Sequence, residues 1–76
     1  MIKVYSKANC PQCNMVKKFF NDNGVEFESI DVTEEGVADF VKGELGFTGV
    51  PVIVADGFAP FKGFAPDTLE AIVEGA

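Results

Sequence analysis

Short apolar runs of strand period alternate along the chain with longer stretches of helical period. Ile2-Lys3-Val4-Tyr5 is a β-rich opening, followed by a polar turn over Ser6 to Asn9. From Pro11 the spacing becomes helical, with Cys13, Val16 and Phe20 on one face and Phe19 widening it. Pro11 suits the first helical position, where its missing N–H would be unpaired in any case, and Gly24 provides the stop. Lys17 and Lys18 fall towards the far end, where positive charge complements the helix dipole. Val25 to Val32 reads as a second strand of imperfect alternation: Val25 and Phe27 share one parity, Ile30 and Val32 the other. Thr33 is placed to cap a second helix carrying Val37, Phe40, Val41 and Leu45, which Gly46 ends.

Val52-Ile53-Val54 is a continuous apolar run, the pattern of a buried strand. Asp56-Gly57 signals a hairpin turn, and Phe58 to Phe61 the returning strand, which Pro60 confines to a sheet edge. Pro66 opens a last helix with Leu69, Ile72 and Val73 inward. The order is β-α-β-α-β-β-α. The β-α-β start makes the first two strands parallel, and the hairpin makes the third and fourth antiparallel. The expected fold class is therefore α/β: one domain over residues 1–76, a mixed four-stranded sheet covered by three helices.

Composition narrows the chemistry. The chain of 76 residues is 47% hydrophobic with eight Phe, enough apolar surface to exclude disorder. It carries 12 acidic and 6 basic residues, none of them Arg, for a net charge of −6. Nucleic-acid binding calls for the opposite sign, so no nucleic-acid partner is expected. The opening residues are not the apolar stretch of a signal peptide, and no run reaches the length of a membrane span. The expected location is cytoplasmic, without a membrane partner, and the expected state is a monomer.

In a reducing compartment thiols stay reduced, and two Cys separated only by Pro11 and Gln12 fit catalysis better than structure. Cys10 falls where the first helix begins, so a thiolate there gains from the outward-pointing N–H groups and the positive end of the dipole. Lys7, three residues upstream, adds to that field. Cys13 lies within the first turn, on the inward side. Position thus divides the roles: Cys10 attacks, and Cys13 resolves the mixed disulfide. Competing readings are weaker. A structural disulfide closing so small a loop stabilises by only about 2 kcal/mol. A structural zinc site needs four ligands, and the chain has two Cys and no His. No metal site and no separate cofactor are expected.

Two further segments carry candidate chemistry. Pro51 precedes a buried strand, where a trans turn-proline is the ordinary form, although X-Pro is also the bond with a realistic cis population. A cis Pro51 facing Cys10 would leave the N–H and carbonyl of Val50 free to pair with an extended substrate. In Phe61-Lys62-Gly63-Phe64-Ala65-Pro66-Asp67, Gly63 permits positive φ or close backbone approach. Core packing is the ordinary reading for Phe58, Phe61 and Phe64, but so dense a group at an edge suggests that one contributes to a partner-docking patch.

With these residues in place the chain resembles the NrdH-redoxins, within the glutaredoxin-like branch of the thioredoxin superfamily. The carriers are Cys10-Pro11-Gln12-Cys13, Gly49-Val50-Pro51, Val52 to Gly57, and Gly63-Phe64-Ala65-Pro66-Asp67. The resemblance implies a thioredoxin fold, a cis Pro51 facing the cysteines, and a dithiol electron carrier reduced by thioredoxin reductase that delivers electrons to ribonucleotide reductase. It also implies that glutathione is not the usual reductant. Similar glutaredoxins bind the glutathione carboxylate with backbone donors after a Gly-Gly pair. Here Phe64 adds bulk at the second Gly, and Pro66 removes an N–H, while Lys7 and Asp67 are retained. The family's Trp-Ser-Gly-Phe-Arg-Pro ending is altered, with Phe61-Lys62 for Trp-Ser and Ala65 for Arg, which leaves the identity of the partner open. The alternatives are a glutathione-dependent glutaredoxin and, from a different class, an iron–sulfur cluster-binding module.

Overall fold

A computed structural model describes residues 1–76. The elements in order are β1 (Lys3–Ser6), α1 (Pro11–Asp22), β2 (Glu28–Asp31), α2 (Val37–Phe40) running into a π-helical turn (Val41–Leu45), β3 (Val52–Val54), β4 (Phe61–Lys62) and α3 (Pro66–Gly75). They form one four-stranded sheet in the order β2-β1-β3-β4. β1 pairs in parallel with β2, Lys3 against Glu28 through Ser6 against Asp31. It pairs antiparallel with β3, Tyr5 against Val52 and Lys3 against Val54. β4 continues antiparallel, with Ile53 against Phe61 and Val52 against Lys62. This is the thioredoxin fold, with the mixed sheet and three helices that the apolar periodicity predicts.

Both faces of the sheet are covered, which explains the parity change in Val25–Val32. On one face Val4, Ile53 and Ala55 pack with Val16 and Phe20 of α1 and Leu69 and Ile72 of α3, and Val25 and Phe27 lean on that cluster. On the other face Tyr5 and Val52 pack with Val41, joined by Ile30, Val32 and Leu45. Two apolar parities in one segment therefore mark two cores. The largest fully buried side chain is Phe20, whose ring also meets Phe19 and Phe27 at centroid distances of 6.2 and 5.7 Å.

Five local expectations differ from the structure. β2 is half the expected length, since only Glu28–Asp31 reaches a partner strand. Thr33 does not cap α2: its amide and hydroxyl both donate to Asp31 Oδ1, at 2.8 and 2.7 Å, in a turn that competes with helix initiation. The helix starts at Val37 behind Gly36 and widens after Phe40, so Val41 takes the inward position while Phe40 stays 44% exposed against the Tyr5 ring. β4 is Phe61–Lys62 rather than Phe58–Phe61, because Pro60 has no N–H for the ladder and pairing begins beyond it. Lys18 makes an i,i+4 pair with Asp22 at 2.7 Å, and no basic residue lies in the last turn of α1.

Two measurements follow from this packing. Phe20→Ala should cost about 3–5 kcal/mol, whereas Phe40→Ala should cost about 1 kcal/mol or less, read as shifts in urea midpoint. The hydroxyl and amide bonds from Thr33 hold the Asp31 carboxyl below its ordinary value of 3.8. A depressed folded-state value contributes stability above the unfolded value and loses it as pH falls through the folded one. Unfolding free energy should thus decline as pH falls from about 5 through the folded-state value, and less steeply in Asp31→Asn.

Candidate functional site

The β1–α1 connection turns at Asn9, the one non-glycine residue with positive φ (58°), a conformation that Asn tolerates better than most. Cys10 follows as the N-cap of α1 in extended conformation, and Pro11 is the first helical residue. The Cys13 N–H donates to Cys10 Sγ at 3.2 Å, so the sulfur engages one of the otherwise unpaired donors of the helix start. The two cysteines are joined in a disulfide with Cα atoms 5.2 Å apart. They differ in access: Cys10 is 8% exposed and Cys13 is fully buried. Pro11 and Gln12 between them are exposed.

The other two motifs meet this one. The Val50–Pro51 bond is cis, and Pro51 is fully buried. Its carbonyl accepts from the Gly63 N–H at 2.9 Å. Gly63 has φ +92°, and a Cβ placed there would lie 3.8 Å from Gln12 Oε1. One backbone bond and one side-chain approach thus bring the dithiol loop, the Pro51 loop and the Gly63 turn together. Val50 is half-buried, and neither its N–H nor its carbonyl has a hydrogen-bond partner in the chain.

The remaining candidates are placed less uniformly. Lys7 is exposed and lines a hollow of about 320 Å³ with Val50. Phe61 packs against the core. Phe64 also turns inward, its ring meeting Phe19 edge-on at 6.4 Å, so any obstacle to glutathione at this turn rests on Pro66 rather than on exposed bulk at Phe64. Pro66 is exposed as the first residue of α3. Of the three Phe, Phe58 is the exposed one, and it lines a different hollow with Met1, Gly24 and Ala76 at the opposite end of the sheet. Sequence reasoning overlooked Asn9, and also Lys42, which lines the same hollow as Lys7; the known tolerance of Asn for positive φ is the available signal for the first.

These features define a thioredoxin-fold protein with a redox-active-type CxxC pair at a helix N-terminus. Residues 2–58 match the Glutaredoxin family, and the chain belongs to it. It is 45% identical over 71 residues to the glutaredoxin-like protein NrdH of Lactococcus lactis, covering 91% of this chain and 94% of that one. Gene 56 protein of Mycobacterium phage D29 is 34% identical over 74 residues, covering 96% and 82%. Among solved structures, the NrdH-redoxin of Escherichia coli, described as glutaredoxin-like with a thioredoxin-like activity profile, superposes with a TM-score of 0.82. Its identity is 30%, with 93% of this chain and 92% of that one covered. The chain is thus an NrdH-like, glutaredoxin-like redox protein.

Gly63→Ala separates backbone from side-chain causes at this junction. A methyl group 3.8 Å from Gln12 is an ordinary contact, so the expected loss of more than about 1 kcal/mol comes from the positive φ. The double variant with Gln12→Ala should lose the same amount relative to Gln12→Ala alone; recovery of stability would mean that the Gln12 contact sets the cost.

Proposed function

We propose that the protein is a dithiol electron carrier that takes electrons from thioredoxin reductase and delivers them to protein disulfides, those of ribonucleotide reductase first among them. The observation that supports this most is the asymmetry of the pair: Cys10 holds the N-cap position with a donor on its sulfur and some access to solvent, while Cys13 has none. The relatives matched over more than nine-tenths of the chain support the same reading.

In this reading the Cys10 thiolate attacks one sulfur of the target disulfide, and the other target sulfur leaves as a thiolate and takes up a proton. The target chain lies along Val50, whose free N–H and carbonyl can extend it as a short β-bridge. Cys13, losing its proton, attacks Cys10 Sγ; the Cys10–target bond breaks and the second target sulfur leaves reduced. Two electrons and two protons have then moved to the target, and the reductase restores the dithiol with two electrons from NADPH. Lys7 and the start of α1 favour the Cys10 thiolate, while Pro11 and Gln12 shape the approach to it. Gly63, bonded to the Pro51 carbonyl, keeps the docking loop in place. Phe61 and Phe64, packed against the core, support the Gly63 turn from behind, and Pro66 is exposed beyond it at the partner side. The dithiol is itself the redox group, so the cycle needs no separate cofactor or metal, and the carrier acts as a cytoplasmic monomer.

Turnover of a protein disulfide in the absence of glutathione tests the division of roles. Cys10→Ser should abolish exchange, and Cys13→Ser should stop after one mixed disulfide, visible by mass spectrometry. Multiple turnovers by Cys13→Ser would overturn the scheme. Visible absorbance in anaerobically purified protein would favour an iron–sulfur cluster-binding module instead.

A further inference from the structure

Three of the six basic residues, Lys7, Lys42 and Lys62, converge on the loop that precedes Pro51. Lys7 and Lys42 line the 320 Å³ hollow with Thr48, Gly49 and Val50. Lys62 reaches the same loop from β4: a Cβ on Gly49 would lie 2.8 Å from both its Cε and its Nζ, so the ammonium rests against the Gly49 backbone. None of the three has a carboxylate partner, the ion pairs of the chain being Lys18 with Asp22 and the Met1 ammonium with Asp56. Asp39 is the single acidic residue lining the hollow. In a chain of net charge −6, this is a local reversal of sign.

The backbone beneath these lysines is unoccupied as well. No N–H or carbonyl of Thr48, Gly49 or Val50 makes a hydrogen bond within the chain. An extended peptide can add to such an edge, and its alternate side chains repeat every ~6.6–6.8 Å, a spacing suited to several separate ammonium groups. A small anion would use the charge without using the edge.

We propose that residues 48–50, with Lys7, Lys42 and Lys62, form a docking groove for an extended acidic protein segment that presents the target disulfide beside Cys10. The inference rests on the carrier reading and adds the chemistry of its substrate. Charge at this rim selects and orients the partner more than it tightens the complex. The acidic remainder of the surface repels the same partner elsewhere and so favours one approach.

The test uses three synthetic peptides with the same internal disulfide, flanked by Glu, Gln or Lys. Binding to the oxidised protein is read by fluorescence anisotropy, where no exchange occurs, and reduction by the reduced protein is read by stopped flow. Net charge alone favours the Lys peptide; the groove favours the Glu peptide, by about tenfold over Lys at low salt, collapsing at about 0.5 M salt. Lys42→Gln and Lys62→Gln should each lower that ratio by roughly two- to threefold. Gly49→Ala, which must displace Lys62 while keeping its charge, should do likewise. Lys18→Gln, about 12 Å along α1 from Cys10, makes the same change in net charge and should leave the ratio alone. A flat series, a preference for Lys, or an equal effect of Lys18→Gln overturns the groove while leaving disulfide reduction standing. Preference for Glu in binding with no peptide reduced supports the groove and overturns the carrier reading.

Discussion

Placement of β1 between a parallel and an antiparallel neighbour is the constraint on which the site depends. The parallel pairing with β2 requires a crossover, so α1 must begin at the end of β1 and run back along the sheet. That puts Cys10 just beyond Ser6. Antiparallel pairing with β3 sets Val52 against Tyr5, so β3 enters where β1 leaves, and Pro51 arrives at the same end. The second antiparallel step sets Lys62 against Val52, and Gly63 follows it there. Three segments far apart in sequence meet because each strand reverses or returns at one edge, and the Gly63 to Pro51 hydrogen bond fastens the meeting point.

The chemistry of the pair follows from where the helix starts. Cys10 is outside the regular helix by one residue and so meets its unpaired donors, whereas Cys13 is inside by one turn and is sealed under it. The same four residues placed within a helix would offer neither donors nor access. The core on one face of the sheet then holds α1 in place: Val16 and Phe20 are fully buried against the sheet and α3. Complete burial of Cys13 and the slight residual exposure of Cys10 accompany that packing.

Much of this is legible in the residues themselves. The element order, the edge position of the last strand and the Cys10 cap follow from period, Pro and Gly placement, and the two parities of Val25–Val32 already encode two buried faces. The start of the short helix is not legible, because Thr33 has a stronger local partner in Asp31 than in a helix start, and spacing alone does not reveal that competition. Phe58 and Phe64 show a similar limit: both belong to a dense aromatic segment, yet one lies at the far end and the other turns in on Phe19. The convergence of Lys42 and Lys62 on the Gly49 loop had no signal in sequence, since it depends on the sheet register and on a glycine with no side chain to keep Lys62 away.

The central claim, a carrier reduced by thioredoxin reductase, is tested most directly by NADPH consumption with the oxidised protein as acceptor in two parallel assays. One contains thioredoxin reductase from an NrdH-bearing bacterium; the other contains glutathione and glutathione reductase. Rapid oxidation of NADPH in the first alone is the expected result. Oxidation in the second alone would contradict the account and make the protein a glutathione-dependent glutaredoxin, despite the N–H that Pro66 lacks.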